Sequence, residues 1–191
     1  MNIEKINSNI SKKTKIGTTI EYYQEIDSTH TYAKKIGNQK ENDGKIIIAE
    51  VQTAGIGTKG RKWYTGEGKN IAMTIILHPT CKIEELEGLT IKIAKSIQKA
   101  IYELYSYKLE IKKPNDLILN GKKICGILTE IHTMGEKINY LLISFGFNVN
   151  EDGFSEETKE IATSLKKEFN KEFKREEIII KIIDKLEEIE L

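Results

Sequence analysis

"KKPNDLILNGKKICGILTE", residues 112–130, is the stretch that sets the architecture. Pro114 holds the chain extended, and Asn115 and Asp116 then offer an amide and a carboxylate at the start of a strand. Asn120-Gly121 is the strongest short-range signal for a type I′ hairpin turn. The chain therefore returns on itself and brings Lys123 within reach of Asn115 and Asp116. Strict alternation sends Lys123, Cys125 and Ile127 to one sheet face and Ile124, Gly126 and Leu128 to the other. A lysine among apolar neighbours is ordinarily an edge-strand residue with its head in water. Gly126 weighs the other way, because glycine inside a strand often marks close approach by a ligand or another backbone.

The same pattern continues on both sides. A second hairpin turns at 135–137 into the strand at 138–150. Upstream, 22–27 and the β-branched run 45–52 read as strands, as does 70–77. Ser28 or Asp27 caps a short helix over 28–39 that Gly37 ends. The clearest helix is 84–107, with Leu86, Leu89, Ile93, Ile97, Ala100, Ile101 and Leu104 at spacings of three and four. Helices are also expected over 155–169 and 175–191, the last with Ile178, Ile182, Ile183 and Leu186 on one face. Residues 1–19 read as a flexible polar lead-in. Hairpins outnumber strand–helix–strand units, so the expected fold is α+β, a mixed, mostly antiparallel sheet with helices packed on it.

Bulk properties narrow the function. The 191 residues suffice for one substantial core, and 30 basic side chains nearly cancel 29 acidic ones, leaving +1. That balance argues against a nucleic-acid-binding surface. No apolar run approaches the ~20 residues of a membrane span, the amino terminus has no signal-peptide centre, and two isolated cysteines form no disulfide framework or zinc cluster. A cytoplasmic protein without membrane partners is the expectation.

Between the strands at 45–52 and 70–77 lies a glycine-rich basic loop, about 53–69, carrying Lys59, Arg61, Lys62, Lys69 and the only tryptophan, Trp63. Residues 55–60 spell G-x-G-x-x-G, but no helix opens behind them, so the dinucleotide reading fails. A phosphate-binding Walker loop fails too, since Arg61 stands where its lysine belongs. What survives is a mobile loop with cations and a stackable indole, or a plain surface loop. Ser28-Thr29 reads first as a helix cap, and Gly146 with Asn148 as a bulge in a core strand.

In their order these segments resemble the catalytic domain of biotin protein ligases. That family carries D-S-T-N, then Q-x-x-G-R-G-R-x-x-R-x-W, K-W-P-N-D-L, K-x-x-G-I-L-x-E and G-x-G-x-N-V-N. The chain has Asp27-Ser28-Thr29-His30, Gln52 with the loop to Trp63, residues 112–117, residues 123–130 and residues 145–150, with a further match at 162–165. The resemblance covers about residues 20–190. It implies the fold shared by biotin and lipoate ligases and class II synthetases, on a single domain with neither a winged helix in front nor a small β-barrel behind. It implies activation of biotin by ATP to biotinyl-5′-AMP and transfer to a lysine of a carrier protein, with acetyl-CoA carboxylase's biotin carrier subunit the usual acceptor, and a homodimer through sheet edges.

The resemblance also implies roles. Lys123 bridges the biotin carboxylate and the α-phosphate, assisted by Arg61. Ser28, Thr29 and Gln52 hydrogen-bond the ureido ring, with His30, Gly55, Ile56, Gly57, Thr58 and Gly126 lining the biotin site. Lys59, Lys112 and Asn148 serve ATP, Asn115 and Asp116 order nucleotide and Mg²⁺, and Trp63 covers the adenine; no residue is assigned as a dedicated metal ligand. Four positions depart from the pattern. Ile56 and Thr58 replace its two arginines, with Lys59 and Arg61 left to compensate in part. His30 replaces asparagine, and Lys113 replaces tryptophan. Two rival readings stand beside this one: a lipoate or octanoate ligase with the same hairpin, and a non-catalytic biotin or adenylate binder.

Overall fold

The computed structural model describes residues 1–10 and 14–191. Seven strands form one sheet: β1 (Ile20–Ile26), β2 (Ile46–Gln52), β3 (Ile71–Leu77), β4 (Glu110–Lys112), β5 (Asp116–Leu119), β6 (Lys122–Met134) and β7 (Lys137–Phe147). Their spatial order is β1-β2-β3-β7-β6-β5-β4. Among the described residues only β1 and β2 run parallel; every other neighbouring pair is antiparallel. The mixed, mostly antiparallel sheet expected from the hairpins is therefore the observed one. Asn120 (φ 50°) and Gly121 (φ 79°) both adopt the left-handed conformation that the β5–β6 turn requires.

Alternation divides the sheet into two unlike faces. Ile46 and Ile48 of β2, Ile71, Met73 and Ile75 of β3, and Leu141, Ile143 and Phe145 of β7 enter the main core. There they meet α3 (Leu89–Tyr105) and α5 (Arg175–Leu186), whose Ile93, Ile97, Ile178, Ile179, Ile182 and Ile183 have no exposed surface. The opposite face packs only a small cluster, Ile47, Ile76, Tyr140 and Leu142 with Ala33, under the short helix α2 (Thr29–Ile36). Beyond that cluster the second face carries smaller and polar side chains such as Ala49, Ala72, Thr74 and Ser144, with Leu128 beside them.

Three expectations need correction. The lead-in over 1–19 is not wholly flexible: Ile3–Asn9 forms the helix α1, capped by Asn2, and Ile6, Ile10 and Ile16 join the main core. Ile3, Ile6 and Ile10 fall on one helical stripe, a signal masked by the polar residues between them. Residues 11–13 of that lead-in lie outside the described residues. The helix expected over 155–169 shrinks to α4 (Leu165–Phe169). Its first half instead runs beside β6, where the Lys123 amide donates to Ile161 O at 2.8 Å and Thr163 N donates to Lys123 O at 2.9 Å. Tertiary pairing overrides a weak helical propensity there. The long helix at 84–107 is broken at Gly88 (φ 72°), leaving a 3₁₀ turn over Ile83–Leu86 ahead of α3.

A buried ion pair ties the sheet to α5. Arg175 holds Glu50 of β2 bidentately, at 2.7 and 3.0 Å, and also donates to Asn70 O at 2.9 Å. Glu50 further accepts from Tyr22 Oη at 2.8 Å and from the Gly68 amide at 3.0 Å, which anchors the exit of the glycine-rich loop. Burial disfavours the charged carboxylate, but the Arg175 hydrogen bonds and charge outweigh it and draw the Glu50 pKa from 4.5 down to about 2. A folded-state pKa below the unfolded one gives stability that is present above pH 4.5 and lost as pH falls toward about 2. Urea unfolding midpoints should decline across that window, and Glu50→Gln should remove part of the decline; parallel curves would show that the pair adds nothing. Arg175→Ala, which strands the carboxylate, should cost about 3–5 kcal/mol near neutral pH.

Candidate active site

The second sheet face owes its shape to one row of residues. Register places Tyr23, Ala49, Ala72, Gly146, Gly126, Asp116 and Lys112 side by side across all seven strands. Directly opposed residues point to the same face. The centre of the row carries two methyl groups and two hydrogens, so it forms a shallow dish. Asp116 and Lys112 stand at one end. The next row inward holds Thr74, Ser144 and Leu128.

Lys123 reaches this dish through a β-bulge. The β5–β6 register shifts between Leu117 and Ile118, so that Leu117 faces Cys125 while Ile118 faces Lys123, and Ile124 is the extra residue. Strict alternation would have put Lys123 and Gly126 on opposite faces. The bulge corrects that expectation, because one added residue re-aims every side chain before it. Lys123 and Gly126 now share a face, and a Cβ on Gly126 would lie 3.0 Å from both Cε and Nζ of Lys123. The bulged backbone is not left unpaired: Ile124 O accepts from Asn148 N at 2.9 Å, while residues 161–163 hold Lys123. Lys123 Nζ lies 2.6 Å from Asp116 Oδ1, an ion pair poorly aligned for a hydrogen bond, so that this buried oxygen has no aligned donor.

The glycine-rich loop closes over the dish as a small hairpin. Trp63 N donates to Gly55 O at 2.8 Å, Ile56 bridges Lys62, and the chain turns through Lys59 (φ 59°) and Gly60 (φ 70°). Gly55 admits no side chain, since a Cβ there would meet Trp63 O at 2.4 Å. The hairpin delivers the Trp63 indole into the dish. A Cβ on Gly146 would stand 2.1 Å from Trp63 Cε2, and one on Gly126 3.0 Å from Cζ3. Lys123 Nζ sits 5.4 Å from the indole centroid. The indole Nε1 is buried without a hydrogen-bond partner. The cavity that remains is ≈ 40 Å³, room for about three waters.

Along the inner wall runs a ladder of polar side chains. Thr29 donates to Gln52 Oε1 from its amide at 2.9 Å and from its hydroxyl at 3.1 Å. Thr74 Oγ1 lies 2.9 Å from Thr29 Oγ1 and 2.9 Å from Ser144 Oγ. Ser144 meets His30 Nδ1 at 2.8 Å, and His30 Nε2 meets Glu130 at 2.8 Å. Gln52 Nε2 donates onward to Thr65 at 3.3 Å, on the closing loop.

Most of the residues singled out from sequence converge here. Thr29, His30, Gln52, Ile56, Gly57, Thr58, Trp63, Asn115, Lys123 and Gly126 line the cavity. Asn115 is fixed by its amide on Ile127 O at 2.8 Å. Others do not line it. Ser28 is buried and caps α2, accepting from Thr31 N at 3.3 Å. Gly55 shapes the hairpin behind the cavity. Lys59 and Arg61 are exposed, and Arg61 donates to Thr58 O and Oγ1 at 3.3 and 3.2 Å. Asp116 and Lys112 lie along the row, outside the cavity. Asn148 binds Thr163 O at 3.1 Å, bracing the bulge rather than facing the dish. Trp63, expected over an adenine, lies on the two glycines instead, and Gly146 is an approach site for that ring in a regular ladder, not a bulge. Sequence reasoning missed Thr74, Ser144 and Glu130 as members of the wall. Thr74 and Ser144 carried a readable signal, a small polar residue inside an otherwise apolar strand.

A small-residue dish on an antiparallel sheet, a lysine aimed into it and a glycine-rich cover together make up the candidate site. The chain belongs to the Biotin/lipoate A/B protein ligase family, whose pattern matches residues 22–148. It is 33% identical over 174 residues to the bifunctional ligase/repressor BirA of Bacillus subtilis, an alignment covering 90% of this chain and 54% of that protein. Over 125 residues it is 33% identical to BirA of Escherichia coli, covering 65% of this chain and 38% of that one. The chain thus spans about half, or less, of the length of these curated relatives. Among solved structures, the biotin protein ligase of Aquifex aeolicus in complex with biotin and ATP superposes with a TM-score of 0.76 at 28% identity, covering 90% of this chain and 69% of that one. The Leishmania major biotin protein ligase with biotinyl-5-AMP gives 0.72 at 27%, covering 89% and 74%.

Because Trp63 is the only tryptophan, its emission reports the seating of the indole. Gly146→Ala should expel the ring and shift emission to the red, whereas Gly126→Ala, with its nearest contacts at 3.0 Å, should shift it less. Spectra identical to wild type in both variants would show that the ring does not rest on the two glycines.

Proposed function

We propose that this chain, acting as one catalytic domain, activates biotin with ATP and transfers the biotinyl group to a lysine of a biotin carrier protein. The observation that carries the reading is Lys123, turned by the bulge into a dish whose wall ends in Thr29 and Gln52. In the first reaction a carboxylate oxygen of biotin bonds to the α-phosphorus of ATP and pyrophosphate leaves. Two anions must meet, and at ~4 Å unit charges repel by about 1 kcal/mol in water and several-fold more in a drier site. A fixed ammonium between them turns that repulsion into transition-state stabilisation. Lys123 supplies it, exchanging Asp116 for the developing charge. In the second reaction the carrier's amine attacks the acyl carbon, AMP departs, and the amine's proton passes to solvent.

The wall favours biotin over lipoate within the family. Thr29 and Gln52 offer hydroxyl and amide partners that suit a ureido ring with two donors and one acceptor, and a dithiolane ring has no use for them. Mg²⁺ fits the same end of the row. Asp116 presents a buried oxygen without an aligned donor, and one carboxylate plus substrate phosphates is a usual way to hold that ion. Asp116 would hold it and Asn115 would order the nucleotide; when bound, the ion neutralises phosphate charge. Arg61, bonded to Thr58, brings a guanidinium close to one of the positions where the family's arginine is lost. The hairpin over the dish excludes water from the adenylate.

Lys123→Ala should lower carrier biotinylation by about 10²–10³-fold and lower biotin-dependent ATP–pyrophosphate exchange in parallel. Unchanged turnover would refute the mechanism, and biotin binding by wild type without any exchange would favour a non-catalytic binder. Thr58→Arg, restoring a family cation, should slow release of biotinyl-AMP into solution in a competition assay. Equal release from both proteins would show that Arg61 and Lys59 already compensate.

A further inference from the structure

The polar wall can be read proton by proton. Gln52 is oriented unambiguously: the atom 2.9 Å from the Thr29 backbone N–H must be its oxygen. That oxygen only accepts, so at 3.1 Å the Thr29 hydroxyl spends its single proton on it. Thr29 Oγ1 then meets Thr74 as an acceptor, and the Thr74 proton is used there. The 2.9 Å contact between Thr74 and Ser144 therefore needs the Ser144 proton. Ser144 has none left for His30 Nδ1 at 2.8 Å, so that nitrogen must be the donor.

At the far end, His30 Nε2 faces Glu130 at 2.8 Å. Glu130 is ion-paired through its other oxygen with Lys34, so it is a carboxylate and only accepts. His30 Nε2 must donate as well. Five contacts join six groups, and three hydroxyls supply three protons; the ring must supply two. If the ring gives up its Nδ1 proton, every hydroxyl turns around and the contact between the Thr29 hydroxyl and Gln52 is left without a proton.

We propose that His30 is a doubly protonated positioning residue whose charge, relayed through Ser144 and Thr74, fixes Thr29 as a hydrogen-bond acceptor and Gln52 as a fixed amide toward the ligand. This rests on the biotin reading of the site. Thr29 then keeps one lone pair to accept from a ureido N–H, and its own proton stays on Gln52 and does not turn toward that donor. His30 is buried (6% exposed), so the charge is set by its surroundings. On β6, Glu130 faces it, and His132 lies 2.7 Å from the other Glu130 oxygen without hydrogen-bond alignment. On α2, Lys34 pairs with Glu130. Thr74 of β3 and Ser144 of β7 do not titrate in this range. Loss of a ring proton should therefore weaken biotin binding without displacing any residue of the dish.

The test has two arms. Nitrogen NMR of the histidine side chains, without biotin, should show both His30 nitrogens protonated at about pH 7; a ring with one bare nitrogen overturns the proposal. Biotin affinity measured by calorimetry should fall by about tenfold across whichever pH interval the same spectra show the His30 ring losing a proton. His30→Asn, whose amide donates without titrating, should bind with a flat profile, while His132→Asn keeps the wild-type slope. Equal slopes in wild type and His30→Asn overturn the coupling. Absence of biotin binding in every protein at every pH overturns the ligase reading and the coupling with it, while the spectrum still decides the proton count.

Discussion

One added residue in a strand governs how this molecule assembles its site. Without Ile124 as a bulge, Lys123 would sit on the far side of β6 from Gly126, among the isoleucines packed against α3 and α5. An ammonium there would be a desolvated charge in an apolar core, which folding does not tolerate unpaired. The bulge avoids this by handing the Lys123 backbone to residues 161–163 and the Ile124 carbonyl to Asn148. Thus the segment after β7, far in sequence and free of catalytic chemistry, is what keeps the lysine on the working face. The short length of α4 is the consequence, since residues that pair with Lys123 cannot also be helical.

The two sheet faces express opposite uses of the same alternation. On the core side, large branched residues fill the space under two long helices. On the other side, Ala49, Ala72, Gly146 and Gly126 give up side chains entirely or nearly so, sacrificing burial to make room. Such a face is stable only where something covers it, and α2 covers one part while the loop hairpin covers the rest. Glu50 secures the arrangement at its edge, because its carboxylate joins α5, β1 and the loop exit in one buried cluster.

Much of this was legible in the residues. The Asn-Gly turn fixed the β5–β6 hairpin, the three-four spacing in α3 and α5 named their buried faces, and five short motifs in order marked Thr29, Gln52, Asn115, Lys123 and Gly126. The face of Lys123 was not legible, because a bulge is decided by backbone partners distant in sequence. The helix α1 was missed because three isoleucines among polar residues score poorly unless a tertiary partner such as α5 receives them. Ser28 and Asn148 matched motifs yet serve as a cap and a brace, which pattern alone does not distinguish from contact with a ligand. The Trp63 position was equally hidden: nothing in the loop says whether its ring points at solvent, a nucleotide or the sheet.

That ring position has an effect on apparent affinity. Any molecule entering the dish must trade places with an indole already resting there, so the loop acts as a tethered competitor. Measured affinity is then the intrinsic affinity scaled by the fraction of time the floor is clear; a floor clear one-tenth of the time weakens binding about tenfold. The orphaned indole Nε1 keeps this competitor weak, since a buried donor without an acceptor destabilises its own seat. The same tryptophan can thus guard an apolar floor from collapse or solvent and still yield to a ligand that satisfies the groups around it.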